Sequence, residues 1–268
     1  SRQPEATSRV YPVRSDLLDA NLLAAPLRGV TSLVHCAWDR SFLGPEKRSK
    51  RSNEEACNLK SLEELLSAAQ RSNLKRFILI SCLGVSRKSS NVFLREKYEA
   101  ENMLLNSSIP EKVILRSPLI YDSLSGGGPF FRVVEKYVGL PLFSPTPRKN
   151  SLIPLLYLQD FVRFVTSFVS GDQLVDKVAL INLPSELCRL GSVFKKVAKE
   201  TRSGLKVPLW GGGGELALRF IDRCKWLHQK DSVLLKHYRD VFKGAQGAGA
   251  DSIKTKAGSL KALTTSMP

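Results

Sequence analysis

The sequence predicts an α/β protein built around a parallel sheet. Three short apolar runs, at 32–37, 75–81 and 112–116, have the length and composition of buried strands. Longer amphipathic stretches separate these runs, so each strand is followed by a helix that leads to the next strand. This strand–helix–strand order implies parallel strands with right-handed crossovers.

The helices between the strands are predicted from apolar residues that recur at helical spacing. The first helix runs from about 53 to 71, and the second from about 90 to 106. After Pro118 the alternation loosens, and several shorter elements follow. We expect an extended piece at 152–157, a late strand at 178–183, and helices at 130–138, 159–170, 190–201 and 214–227.

The chain divides into three predicted regions. Residues 1–122 form the sheet domain, and 123–243 form a mixed region that adds the late strand and a small C-terminal lobe. Gly, Ala, Ser and Lys dominate 244–268, with little apolar content, so we expect a disordered tail there.

The composition is that of a globular protein with an unusually basic charge. Hydrophobic residues make up 43% of the 268 residues, which excludes a wholly disordered chain, a collagen-like repeat and a coiled coil. Lys and Arg number 41 against 25 Asp and Glu, a net charge of +16. This charge favours anionic partners, such as nucleic acid, anionic lipid, phosphorylated ligands or an acidic protein. A basic compartment or a larger assembly explains it equally well. No apolar run is long enough to predict a membrane span.

The cysteines and histidines do not predict a metal site. The five cysteines show no paired spacing and no Cys-x-x-Cys, and the three histidines form no His-x-x-x-His. We therefore expect reduced thiols in a reducing compartment.

Several polar residues stand where a parallel sheet binds its ligands. His35, Ser81 and Ser117 each come at or near the end of an apolar run, which places them at the carboxyl edge of the sheet. Asn58 lies four residues before Leu62 and so shares the stripe of the first helix that faces the sheet.

The second helix carries a cation on its apolar face. Lys97 lies four residues after Phe93 and three before Ala100. A lysine in such a position either extends its ammonium to solvent along the apolar surface or holds a ligand in the crevice.

Five segments, taken in order along the chain, carry a further signal. They are Val30–Ala37, which ends in His-x-Ala; Asn58 with the helix after it and Lys75–Ser81; Phe93-x-x-x-Lys97 with Glu99–Glu101; Leu115–Tyr121; and Ile153–Asp160. Together they cover roughly residues 10–227 and resemble the extended or atypical short-chain dehydrogenase/reductase superfamily. The similarity is greatest to its epimerase/dehydratase-like branch.

The resemblance implies a Rossmann-like sheet and an NAD or NADP cofactor. Lys97 takes the place of the lysine that holds the cofactor ribose, and Arg2 and Asp16 lie in a stretch similar to that after the family's second strand. There a basic residue meets the 2′-phosphate of NADP, and an Asp lies near the adenine. The implied cofactor-binding residues are Arg2, Asp16, His35, Ala37, Asn58, Ser81, Lys97 and Ser117. The implied catalytic positions are Cys82, Phe93 and Lys97.

Two of the catalytic positions depart from the family pattern. Phe93 stands where the family has a tyrosine that exchanges a proton with the substrate, and Cys82 stands where it has Ser or Thr. Tyr98 does not replace the missing phenol, because it points about 100° away from Lys97 around the helix. We therefore expect weak or no oxidoreductase activity.

The phosphate-binding turn of the family is also absent from this sequence. No Gly-x-x-Gly-x-x-Gly occurs, and the glycines at 211–214 come late in the chain, in a predicted loop. The resemblance therefore implies a sheet without its first β-α-β unit. Three explanations are open: a longer polypeptide, a genuine fragment, or a rebuilt domain that has lost its cofactor.

The resemblance leads to one principal functional prediction and two alternatives. The principal one is an NAD(P)-binding protein with a structural or accessory role in a larger assembly, similar to the NADPH-holding accessory subunit of respiratory complex I. This prediction places the protein in the mitochondrial matrix or another organelle interior, or otherwise in the cytoplasm. The first alternative is an active NAD(P)-dependent reductase or nucleotide-sugar epimerase/dehydratase. The second alternative is an RNA-binding protein. The basic segment Lys47–Arg51 supports it, although such a segment is also typical of a solvated loop.

Overall fold

The computed structural model describes residues 11–38, 51–122, 130–131, 134–135, 152–171, 177–189, 191–194 and 197. The helices are α1 (Ala20–Ala24), α2 (Arg51–Arg71), α3 (Val92–Asn106) and α4 (Leu158–Ser170). The strands are β1 (Ser32–His35), β2 (Arg76–Cys82), β3 (Glu111–Ser117), β4 (Leu119–Tyr121), β5 (Leu152–Tyr157), β6 (Val178–Asn182) and β7 (Glu186–Arg189). The described residues do not include Arg2, the segment 39–50 or the segment 201–268. The predicted tail lies within the last of these.

A four-stranded parallel sheet forms the centre of the fold, in the order β1-β2-β3-β6. The middle strands β2 and β3 have continuous apolar runs at their centres, because a parallel sheet is covered on both faces. Their central residues, Phe77 to Leu79 and Val113 to Leu115, are completely buried. Two predictions from the sequence are confirmed. The three apolar runs at 32–37, 75–81 and 112–116 form adjacent parallel strands, and a late strand lies within 178–183.

Alternate residues of β2 point to two separate hydrophobic cores. Phe77 and Leu79 pack beneath α1, α2 and α3. Ile78 packs on the opposite face, together with apolar residues of α4 such as Phe161 and Phe164. The result is a layer of helices, the sheet, and a second helical layer, which is the α/β arrangement that the sequence predicts.

A smaller sheet lies beyond β3 in the chain. It has the order β4-β5-β7, with β4 and β5 parallel and β7 antiparallel to β5. Ile153 and Leu155 of β5 pack there against Phe130 and Phe194 in a separate core. This core of the smaller sheet corresponds to the small C-terminal lobe of the predicted fold class.

Arg76 joins the sheet to α4. Its Nε and Nη2 donate to the Glu111 carboxylate at 2.7 and 2.6 Å, and its Nη1 donates to the carbonyls of Phe168 and Gly171 at the C-terminus of α4. A guanidinium suits this place because its planar donors satisfy a carboxylate and two helix-end carbonyls at once.

On the side away from β2, no described strand pairs with β1. The expectation that Ser1 follows a strand concerns residues outside the described part. No helix in the described ranges is long and apolar enough to cross a bilayer. The described residues also contain no cluster of three His, Cys, Asp or Glu that could hold a metal ion.

Candidate functional site

The candidate site lies at the carboxyl edge of the parallel sheet. Strands β1, β2 and β3 end there at His35, Cys82 and Ser117, and Cys82 is the register partner of Ser117. Helix α3 follows β2 and packs on α2 and β2, so its first turns lie beside the same edge. This is where open parallel sheets bind ligands.

The inner stripe of α3 carries two charged residues into the interior. Phe93, Glu96, Lys97 and Ala100 recur at intervals of three and four residues, and all are buried. The apolar members of this stripe fix the rotation of the helix. Glu96 and Lys97 are therefore carried into the protein by their position alone and need internal polar partners there.

Lys97 finds its partners on β2 and in the loop after β1. Its Nζ donates to the Ile80 carbonyl at 3.0 Å and lies 3.7 Å from the centroid of the Trp38 ring. The Phe93 ring centroid is 5.9 Å from the same nitrogen. Lys97 is only 6% exposed. The ammonium is therefore held inside the protein and does not extend into solvent.

Glu96 connects Trp38 to α2. One carboxylate oxygen, Oε2, accepts hydrogen bonds from Trp38 Nε1 and from Asn58 Nδ2, each at 3.2 Å. Asn58 is buried, as expected for a residue on the sheet-facing stripe of α2. The structure thus brings Asn58 and Lys97 into one network, with Glu96 and Trp38 between them.

His35 is buried beside this network and is only 4% exposed. Its ring lies edge-on to Trp38 and tilted against Phe77, at centroid distances of 6.4 and 6.3 Å. Its Nε2 has no hydrogen-bond partner among the described residues. Burial, with a smaller contribution from the Lys97 charge, lowers the pKa of His35 from 6.5 to about 4. The imidazole is therefore neutral at physiological pH.

The two departures from the family pattern meet in one apolar cluster. Phe93 and Leu94 are buried there, with Trp38, Cys82 and Val85 packed against them. Phe93 is 4% exposed, so its ring is a packed hydrophobic group beside Lys97. Among the described members of this cluster, the thiol of Cys82 is the one group that carries an ionisable proton, and a thiol is a weak hydrogen-bond donor.

Ser81 belongs to a second network behind the edge. Its hydroxyl donates to Glu101 Oε1 at 2.5 Å, and Arg116 donates to both oxygens of the same carboxylate at 3.0 and 2.6 Å. The hydrogen bonds that Arg116 donates to Glu101 raise the pKa of Arg116. Ser81 thus donates its hydrogen bond to a structural carboxylate on α3.

The remaining predicted site residues are less closely connected. Ser117 donates to the carbonyl of Pro118 at 3.0 Å, and Ala37 is exposed beside Trp38. Asp16 is exposed and accepts from the Leu18 backbone N–H at 2.9 Å, which closes a local turn before α1. Arg2 lies outside the described residues.

Sequence reasoning missed Trp38 and Glu96. Glu96 had a detectable signal, because a carboxylate three residues after Phe93 and one before Lys97 falls on the apolar stripe of a predicted helix. Trp38 follows the His-Cys-Ala end of the first predicted strand, where a large aromatic residue would lie close to the crevice.

Two curated relatives match half of the chain. Subunit 9 of the NADH dehydrogenase (ubiquinone) 1 alpha subcomplex, mitochondrial, from Arabidopsis thaliana is 29% identical over 136 residues, which are 50% of this chain and 32% of the relative. UDP-glucose 4-epimerase from Vibrio cholerae is 28% identical over 157 residues, 51% of this chain and 48% of the enzyme. The matches thus span half or less of the length of these relatives. No family model matches the chain.

Solved structures with the same fold include two sugar-nucleotide enzymes. The UDP-glucose 4-epimerase of Thermus thermophilus, in complex with NAD, superposes with a TM-score of 0.54 at 16% identity, over 84% of each chain. DesIV from Streptomyces venezuelae, a dTDP-glucose 4,6-dehydratase with NAD and TYD bound, gives 0.59 at 16% identity, over 76% of this chain and 69% of the enzyme.

The predicted resemblance is therefore confirmed: the homologues and structural neighbours of this chain are NAD-dependent epimerase/dehydratase-like members of the short-chain dehydrogenase/reductase superfamily, including the branch of the complex I subunit.

Proposed function

We propose that this chain binds NAD or NADP at the carboxyl edge of its sheet and acts as an accessory or structural subunit, with weak or no oxidoreductase activity. The observation that carries the second half of this proposal is the packing of Phe93. Its ring is buried in an apolar cluster 5.9 Å from the Lys97 ammonium, at the position where the family has its proton-exchanging phenol.

A bound nicotinamide would supply the site of hydride transfer, and the protein would have to move the accompanying proton. Phe93 has no proton to exchange, and Cys82 beside it is a poor donor. Loss of a positioned acid or base typically lowers a rate by about 10²–10⁴-fold. Binding of the dinucleotide does not require this proton, so it can persist where turnover does not.

The donors at the edge suit the sugar of a dinucleotide. The Lys97 ammonium is a cationic donor that lies at the end of β2, where it donates to the Ile80 carbonyl at 3.0 Å. The Asn58 amide lies in the same network through Glu96. Lys97 would bind the ribose hydroxyls, and the network would hold the lysine in position from α2. The neutral His35 adds no charge that would compete with this ammonium.

The accessory role and the compartment follow from the plant relative and from the charge. That relative is named as a mitochondrial subunit of NADH dehydrogenase, and a net charge of +16 suits docking against acidic partners. We extend the proposal to a place in a larger assembly inside the mitochondrion. Fractionation of mitochondria and native gel electrophoresis of the tagged chain would test this part.

The binding proposal is tested by titration of the four dinucleotides, NAD⁺, NADH, NADP⁺ and NADPH, in a calorimeter. Lys97→Met keeps the aliphatic stem but removes the ammonium, and we expect at least about a tenfold loss of affinity. The matched control is Lys112→Met, because Lys112 also donates to a backbone carbonyl, that of Leu105, but on β3. Absence of binding by the wild type, or equal losses in the two variants, would refute the assignment.

One observation favours an active enzyme as the second candidate. A curated relative at 28% identity is a UDP-glucose 4-epimerase. If the accessory proposal is correct, the wild type shows weak or no turnover of UDP-sugars or NAD(P)H, and Phe93→Tyr raises it. Robust turnover by the wild-type protein would favour the enzymatic alternative.

A further inference from the structure

Trp38 covers the ammonium that the proposed function assigns to a ribose. The centroid of its ring lies 3.7 Å from Lys97 Nζ, which is direct contact with the face of the indole. A hydroxyl oxygen bound to an ammonium lies about 2.7–2.9 Å from the nitrogen. The indole and a sugar hydroxyl therefore cannot share this side of Lys97.

The other two neighbours described above, Ile80 and Phe93, are fixed parts of the fold. Ile80 belongs to the hydrogen-bonded interior of β2, and Phe93 is buried in the first turn of α3. Trp38 follows β1 outside any helix or strand and is only partly buried. Since Lys97 as a whole is 6% exposed, a ligand reaches its ammonium only if a neighbour moves, and of these three described neighbours Trp38 is the one that lies outside the sheet and the helices.

Two specific contacts hold the indole in place. One is the cation–π contact with Lys97, and the other is the hydrogen bond from Trp38 Nε1 to Glu96 at 3.2 Å. The second contact leads to Asn58 through the same carboxylate oxygen. The indole thus satisfies, from within the chain, the groups that would otherwise recognise a sugar.

We infer that Trp38 is a cover on the dinucleotide site: its indole controls access to Lys97 and must move aside before a ribose can bind. This inference rests on the proposed function and adds a regulatory element to it. A closed cover lowers the apparent affinity by the fraction of molecules in which the site is open. Removing the indole should therefore tighten binding, whereas removing an ordinary binding residue weakens it.

The first arm of the test needs no dinucleotide. Wild type and Trp38→Ala are acetylated with a water-soluble N-hydroxysuccinimide ester, and the rate at Lys97 is read by peptide mass spectrometry. We expect the rate at Lys97 to rise at least about fivefold in the variant, because loss of a cation–π contact of ordinary strength corresponds to such a factor. The rate at Lys112 serves as the internal control and should not change. An unchanged rate at Lys97 overturns the inference, whatever the second arm shows.

The second arm measures NAD(P)H affinity by calorimetry in wild type, Trp38→Ala and Trp38→Phe. We expect Trp38→Ala to bind about 5–30-fold more tightly, and Trp38→Phe, which keeps a ring over the ammonium, to change less. In the wild type, the indole N–H resonance of Trp38, assigned from Trp38→Phe, should shift on binding as its bond to Glu96 opens.

The outcomes separate the cover from the proposed function. Weaker binding by Trp38→Ala would mean that the indole is part of the binding surface, which overturns the inference. An indole resonance that stays in place at saturation overturns it as well. If Lys97 becomes reactive in Trp38→Ala but neither protein binds any of the four dinucleotides, the cover stands and the proposed dinucleotide function fails.

Discussion

Replacing His35 should remove a specific part of the acid sensitivity of this fold. The folded-state pKa of His35 is about 4, against an ordinary value of 6.5, because the ring is buried and, to a smaller extent, because the Lys97 charge disfavours its protonation. As the pH falls below 6.5, His35 binds a proton in the unfolded chain but not in the folded chain. The free energy of unfolding therefore decreases until the pH approaches 4. The contribution of His35 is thus fully favourable above pH 6.5 and is lost on acidification.

The size of this effect follows from the two pKa values. With 6.5 unfolded and about 4 folded, linkage gives a loss of about 2 kcal/mol between pH 7.5 and 5.0, and about 3.4 kcal/mol as the limit at lower pH. His35→Gln cannot bind a proton in either state. Any constant cost of the buried amide is the same at every pH and leaves the slope unchanged.

Urea unfolding of both proteins at several pH values between 7.5 and 5.0 measures the difference. We expect the wild type to lose about 2 kcal/mol relative to the variant over this range. The other titrating groups of the chain are common to both proteins and cancel in the difference. A difference that stays constant within about 0.5 kcal/mol would show that His35 binds protons alike in the folded and the unfolded chain, so that neither burial nor the Lys97 charge lowers its pKa.

Two further predictions concern the buried ion pairs. Arg76→Met should lower the free energy of unfolding by about 3–5 kcal/mol, because it removes the donor of two helix-end carbonyls and leaves the Glu111 carboxylate to the exposed Lys75 at 3.5 Å. The matched control Arg163→Met, which breaks an exposed pair, should cost less than about 1 kcal/mol. Equal losses in urea unfolding would contradict the role of Arg76. Glu101→Gln should cost about 2–3 kcal/mol, because the Arg116 guanidinium loses its carboxylate, whereas Glu99→Gln on the exposed side of α3 should be nearly neutral. Calorimetric unfolding that ranks these two variants in the reverse order would refute this account.

The sheet was predictable because each of its strands carries its own signal. The apolar runs around Ile78 and Ile114 can be stable only where both faces are covered, and the helical stripes between them supply the cover. The position of Lys97 on the inner face of α3 follows from the same kind of local pattern, since Phe93 and Ala100 lie on its stripe. These features depend on spacing along the chain, and spacing is fully contained in the sequence.

The partners inside the site were decided by the tertiary structure. Trp38 and Glu96 are 58 residues apart, and Asn58 and Glu96 are 38 apart, so no local pattern connects them. Lys97 could have extended to solvent, as lysines on apolar stripes commonly do. It is instead held inward, because the close packing of α3 on β2 places the Ile80 carbonyl and the Trp38 ring within its reach. Spacing along the chain determines on which face of its helix or strand a side chain lies. Its contact partners depend on which strand end and which crossover helix meet in three dimensions.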